Sequence, residues 1–233
     1  MINYLFKVWY RLRFRIVYIY HNRFKTYNLE KYLLESKKLN WLDIGSSSNK
    51  SNLNFNFCDL YFVEECIPEF RDKYFQIDIT KDINDNQNFN KYDFIRMQHV
   101  FEHFTFEEAD LVLKNCSKLL KKGGILLITV PDLDIMINLY KKNLFKENIK
   151  FYNWAIKRIK KEASPSDFFS IFTHSHLHQE HKWCYNKNGL FEKIKLSGLF
   201  EPPKKINLFD SYCSIPFTHN RPEEDLCVLA IKK

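Results

Sequence analysis

The chain has 233 residues, 45% of them hydrophobic and 17% aromatic, enough for one domain of generous size or one domain with an embellishment. Charged residues are interleaved with apolar ones, which excludes a long disordered tract. The formal net charge of +8 favours an anionic partner such as nucleic acid, an acidic membrane surface or a phosphorylated small molecule, but a Lys- and Asn-rich composition also follows from A+T-rich coding, so charge alone selects none.

Residues 1–39 are basic and aromatic and are expected to be helical, with a second helix at Leu29–Lys38. The apolar start is interrupted by Lys7, Arg11, Arg13 and Arg15 and lacks a small-residue cleavage site, so it reads as no signal peptide. No stretch of the chain reaches the roughly 18 apolar residues of a membrane span. Three placements fit this zone: on a membrane surface, folded back over the ligand pocket, or in a homodimer contact. The six cysteines form no CxxC pair, which points to reduced thiols and a cytoplasmic, or membrane-associated cytoplasmic, location.

Residues 40–132 alternate short apolar runs with one clear helix, the pattern of a parallel α/β sheet. Strands are expected at Trp41–Ile44, Leu53–Cys58, Tyr74–Ile77, Tyr92–Met97 and Ile125–Val130. The helix is expected at Phe106–Lys121, with apolar positions 109, 112, 113, 116, 119 and 120 on one face. Thr105 and Glu108 form a capping box at its start, and Gly123-Gly124 supplies a left-handed stop. In the last zone, 133–182 is long for a connection and reads as a substrate lid. A helix is expected at Gly189–Leu196, closed by Ser197-Gly198, and two late strands at Ile206–Phe209 and Leu226–Ile231, able to pair antiparallel.

The chemistry-bearing residues sit at the strand ends. In WLDIGSSSNK, residues 41–50, an apolar strand runs into an acidic residue, one glycine and small residues, so a ligand can lie against the backbone. With one glycine where dinucleotide binders carry three, NAD is disfavoured. Asp59 ends the next strand and is able to accept both hydroxyl hydrogens of a ribose; a helix cap or turn is the plainer use of such a residue. Asp78 ends the third and stands in the same position, with the adenine amino group as its possible partner. QHVFEHF, residues 98–104, follows the fourth strand.

Together with LLKKGGILLITVPD, residues 119–132, this arrangement resembles the class I methyltransferases that use S-adenosylmethionine (SAM), and more narrowly a bacterial group associated with surface-polysaccharide biosynthesis. The matching residues are Asp43-Ile44-Gly45, Asp59, Asp78-Ile79-Thr80, His99 to His103, Leu120 to Gly124 and Val130 to Leu133, then His181-Lys182-Trp183 with Tyr185. The resemblance spans residues 40–233, the expected methyltransferase domain. It implies an α/β, Rossmann-like three-layer sandwich: a seven-stranded, mostly parallel sheet with a C-terminal antiparallel strand and a helical lid insertion. It also implies SAM across the strand ends, with Asp43, Gly45, Ser46, Ser47, Asp59, Asp78, Ile79, Gln98 and His99 around it and S-adenosylhomocysteine as product. Ser47 departs from the usual glycine of the turn, which puts the strength of SAM binding in doubt.

Methyl transfer to oxygen is an in-line displacement that needs alignment and, for an oxygen of high pKa, a base. His99, His103 and His181 are the candidates; each has a plainer use in shaping the pocket, capping or packing. The run HSHLHQEH, residues 174–181, invites zinc, but acidic or cysteine partners are few, and no metal is expected. The leading acceptor is a sugar, glycan or glycolipid intermediate. RNA methylation comes second, since no RNA-binding module or N/DPPY-type signature is present. A non-catalytic SAM-fold interaction protein comes third.

Overall fold

The apolar runs of residues 41–131 become adjacent strands because their backbone polar groups must pair once both faces are covered. A computed structural model of the chain describes residues 2–20, 40–45, 55–59, 74–84, 86–147, 164–173, 180–206, 211–212, 215–216 and 224–233. Its strands are β1 (Trp41–Ile44), β2 (Phe55–Asp59), β3 (Tyr74–Gln76), β4 (Tyr92–Gln98), β5 (Leu120–Pro131), β6 (Lys204–Lys205), β7 (Ser211–Tyr212), β8 (Ile215–Pro216) and β9 (Asp225–Ile231). The main sheet has the order β3-β2-β1-β4-β5-β9-β6, and β7-β8 form a separate hairpin. From β3 to β5 all neighbours are parallel. β9 runs antiparallel to both β5 and β6.

The helices are α1 (Ile2–Tyr20), α2 (Phe106–Leu119), α3 (Leu133–Lys141), α4 (Pro165–Thr173) and α5 (Lys187–Leu196). The main core joins α2, α5 and the sheet through Leu42, Ile95, Val112, Leu113, Ile194 and Val228, all fully buried. α2 opens on the expected capping box: Thr105 Oγ1 accepts from the Glu108 N–H at 3.1 Å and Glu108 Oε2 from the Thr105 N–H at 2.8 Å. Lys193 of α5 is buried; its ammonium donates to the Phe106 carbonyl and pairs with Asp110 at 2.7 Å, tying α5 to the start of α2.

Several boundaries differ from the sequence reading. α2 ends at Leu119, and Leu120 already has extended backbone at φ −71°, ψ 145°. Gly123-Gly124 is therefore not a helix stop but lies inside β5, where the pairing with β4 shifts register between Tyr92 and Phe94. Gly123 takes φ +74°, and a Cβ on Gly124 would stand 2.8 Å from the Lys121 carbonyl, so the pair serves the irregular entry of β5 into the sheet. α5 starts two residues early because Asn186, not the glycine region, caps it, accepting from the Gly189 N–H at 2.9 Å. β6 lies at Lys204–Lys205, and of the late strand expected at Ile206–Phe209 residues 207–209 lie outside the described residues.

A second apolar cluster joins α1 to the segment after β5. Tyr10 packs with Met136, Leu139, Phe145, Phe168 and Phe172, and Arg11 is ion-paired with buried Glu147. The expected helix at Leu29–Lys38 and the middle of the expected lid, 148–163, lie outside the described residues. Among the described residues no helix is long and apolar enough to cross a membrane.

Candidate active site

Among the described parallel strands the order reverses between β1 and β4: from β1 the chain continues outward to β2 and β3, then returns to place β4 on the other side of β1. Loops leaving the carboxyl ends of β1 and β4 must diverge there, which opens the crevice where α/β sheets hold ligands. Gly45 leaves β1 at φ +70°, and a Cβ on it would lie 2.4 Å from Val100 Cγ2 in the loop after β4. The glycine is thus required twice, for its backbone angle and for the close approach of the two loops.

Asp43, Asp59 and Asp78 occupy this same carboxyl edge, because β1, β2 and β3 are adjacent and parallel and Asp59 lies level with Gln76. Their roles separate on inspection. The Asp43 carboxylate is 3% exposed and bonded twice to Arg96 of β4, at 2.9 and 2.5 Å. It joins β1 to β4 and has its hydrogen-bonding capacity directed at that guanidinium. Asp78 lies two residues past β3, and its Oδ1 accepts from the Thr80 N–H at 3.0 Å and the Thr80 hydroxyl at 2.5 Å. Those bonds from Thr80, with Lys81 beside it, hold its carboxyl below the usual range. Asn115 of α2 anchors the same turn by donating to the carbonyls of Ile79, 2.9 Å, and Lys81, 2.7 Å. The Ile79 side chain points into the main core. Gln98 is the last residue of β4 and half-buried. The side chain of Asp59 and all of Ser46 and Ser47 lie outside the described residues.

Beyond Gln98 the chain turns sharply. His99 adopts φ +55° and donates its backbone N–H to the Thr129 carbonyl at 2.8 Å. Its Nε2 lies 3.2 Å from Asp225 Oδ2 at the start of β9, and its Nδ1 3.4 Å from Glu102 Oε1. Burial alone depresses this imidazole's pKa, but the two carboxylates outweigh it and hold it at about 10. His99 is therefore a cation at neutral pH with both ring nitrogens turned to carboxylates, which does not suit the role of base. His103 Nδ1 lies 3.1 Å from the Glu180 carbonyl and His181 Nδ1 2.5 Å from the Phe172 carbonyl. Burial lowers the His181 pKa more than Glu102 raises it. The structure brings His99, Glu102, His103 and His181 together; His174, His176 and His178 lie outside the described residues.

Three partners escaped the sequence reading. Asp225 was legible in principle: an acidic residue opening an antiparallel strand lands at the carboxyl edge of its parallel neighbours. Arg96 interrupts the apolar run YDFIRM, and a charge in a doubly covered strand calls for a buried counter-ion. Glu102 stood inside the recognised motif, but nothing local signals that it is buried.

A family model described as a methyltransferase domain matches residues 19–184. No curated protein matches the chain in sequence. Among solved structures it is similar to the CurJ carbon methyltransferase at 15% identity and TM-score 0.52, covering 89% of this chain and 54% of that one. It is similar to a putative O-methyltransferase from Nostoc punctiforme at 14% identity and TM-score 0.51, covering 92% and 57%. A third is a SAM-dependent methyltransferase from Thermotoga maritima, described as a possible histamine N-methyltransferase, at 15% identity and TM-score 0.50, covering 94% and 98%. The chain spans little more than half the length of the first two, and at these identities the likeness is one of fold.

Two outcomes follow for stability. Gly45→Ala is expected to destabilise the protein by at least the roughly 1–2 kcal/mol of a left-handed L-residue, and Gly45→Ala/Val100→Ala to recover only the steric part, by urea denaturation. Asp43→Ala is expected to cost about 3–5 kcal/mol by stranding Arg96, with Asp43→Ala/Arg96→Met less damaging than Asp43→Ala alone. Equal losses for that single and double change would show that the ion pair does not matter.

Proposed function

Because the chain belongs to the methyltransferase-domain family whose model it matches over residues 19–184, we propose that it transfers the methyl group of SAM to a hydroxyl oxygen of a sugar or other glycan intermediate. S-adenosylhomocysteine is the second product. The observation that carries this reading is the crevice at the reversal of strand order, where the glycine turn after β1 meets the loop holding Gln98 and His99. SAM lies across the ends of β1, β2 and β3. Its methionine part runs along Gly45, Ser46 and Ser47, its ribose reaches Asp59, and its adenine lies near Asp78 and Ile79. Asp43 acts indirectly, by holding Arg96 and the β1 tip.

The S–CH3 bond breaks as the O–CH3 bond forms, and the neutral thioether leaves. Alignment and exclusion of water therefore do most of the work, a proximity effect of up to about 7–11 kcal/mol. The acceptor proton departs toward the Glu102–His103–His181 cluster, where His181 is held neutral. His99, a cation between Asp225 and Glu102, orders the wall beside the methyl group.

Calorimetry with SAM tests the donor site. The intact protein is expected to bind SAM, and Asp59→Ala to weaken it by tenfold or more, since losing a charged hydrogen bond costs about 1.5–3 kcal/mol. A loss of less than threefold would remove Asp59 from the ribose.

A membrane-proximal acceptor is supported by α1. It is anchored by Tyr10, while Leu5, Val8, Trp9, Leu12, Ile16 and Ile19 on the opposite face are 43–60% exposed, with Arg13 and Arg15 beside them. The protein is expected to sediment with phosphatidylglycerol vesicles and to lose most of that binding on Trp9→Glu/Leu12→Glu. A protein that stays in the supernatant with such vesicles places this face elsewhere.

A further inference from the structure

Glu102 is 2% exposed, and among the described residues neither of its carboxylate oxygens accepts a well-aligned hydrogen bond. Leaving a buried carboxylate in that condition is costly. Its nearest basic groups are His99 Nδ1 at 3.4 Å and His181 Nε2 at 4.0 Å. A carbonyl can only accept, so the contacts of His103 Nδ1 with the Glu180 carbonyl and of His181 Nδ1 with the Phe172 carbonyl place the N–H on Nδ1 in both rings. In a neutral ring the lone pair is then on Nε2. For His181 that lone pair faces Glu102 Oε1 across 4.0 Å, two acceptors turned to each other, while His99 Nδ1 approaches the same oxygen at 3.4 Å. The His103 and His181 rings meet at 4.9 Å between centroids. One donor atom from each of Glu102, His103 and His181 falls within 4.8 Å of the other two.

We propose that Glu102, His103 and His181 form a binding site for one divalent transition-metal cation of the zinc, cobalt or manganese class. A cation resolves the confrontation that a hydrogen bond does not. Two imidazoles with their far N–H groups held by backbone carbonyls and one carboxylate make the ligand set and the outer support that such ions use. The set is short of the all-oxygen shell preferred by calcium or magnesium. Metal–ligand bonds of about 2.0–2.2 Å put tetrahedral donors roughly 3.4 Å apart, so the site closes by about 1 Å on loading. The segment bearing His181 is already fixed here, because Lys182 and Trp183 donate their N–H groups to the Glu102 carbonyl at 2.9 and 3.1 Å.

The sequence reading set metal aside because HSHLHQEH offered few acidic partners nearby. The fold supplies one from 79 residues upstream, Glu102, and the last histidine of the run is the one that reaches it. An ion there deepens the proposed reaction, because three protein ligands leave coordination positions for an acceptor oxygen, whose proton a Lewis acid loosens. In the metal-free chain the histidine cluster receives that proton; with the cation bound, the proton passes to water. The site itself rests on geometry alone and stands without the assignment of the acceptor.

The test uses the full chain stripped by a chelator. Zn2+ binding is followed by calorimetry and Co2+ binding by its visible absorption. One ion per chain is expected, with His103→Ala and His181→Ala each weakening it tenfold or more and Glu102→Gln doing the same. Because Glu102 is buried, its variant is scored only if circular dichroism shows it folded; His103, only half-buried, decides otherwise. Absence of saturable binding in the unaltered chain overturns the site. So does binding that survives both histidine changes, which would put the ion on His174, His176 and His178. SAM titration of the metal-free chain reads the donor site separately, so either result can fail without the other.

Discussion

Two opposite charges buried between the layers of the sheet fix the geometry on which everything else depends. Asp43 of β1 and Arg96 of β4 face each other in register and close on each other with two hydrogen bonds. Neither charge is tolerable alone at that depth, so a one-residue slip of β4 against β1 is forbidden more firmly than hydrophobic pattern alone requires. With register held, the loops after Ile44 and Gln98 must leave at the same level. Gly45 then meets Val100 at a distance that admits no side chain. The crevice therefore depends on the lock between two strands as well as on their order and on the glycine at its rim.

A second electrostatic unit sits at the tip of β4. His99 receives opposing influences: burial favours the neutral ring, while Asp225 and Glu102 favour the cation, and the cation wins. Its left-handed backbone is maintained by the His99 N–H bond to Thr129. His181 behaves differently because its carboxylate partner is farther away. His181, 4.0 Å from Glu102, is governed by burial and stays neutral. The cationic His99 and the neutral His181 thus stand on either side of Glu102.

Much of this was legible in the sequence. β1 falls at the expected residues, and β4 and α2 nearly so, because apolar runs bounded by turns and a capping box are local signals. The position of Asp78 at a strand tip was equally readable, but the anchoring of its turn by Asn115 was not, since Asn115 lies 36 residues beyond the Ile79 carbonyl it bonds, on another element. Gly123-Gly124 misled because the same dipeptide that ends helices also serves an irregular strand entry, and only the pairing of Tyr92 with Leu120 distinguishes them. For α1 the sequence left three placements open, and what it did not reveal was that Tyr10 is the residue through which the helix packs against the segment after β5.

The antiparallel course of β9 brings a further consequence. Asp225 follows His99 by 126 residues, so a ribosome releases the histidine long before the carboxylate that charges it. Until β9 pairs with β5, His99 lacks the Asp225 carboxylate and has only Glu102 of its two anionic partners. The nascent chain can build its first five strands without acquiring the electrostatics of the finished centre. Competence therefore arrives in a single late event, when the final pairing between distant parts of the polypeptide is made.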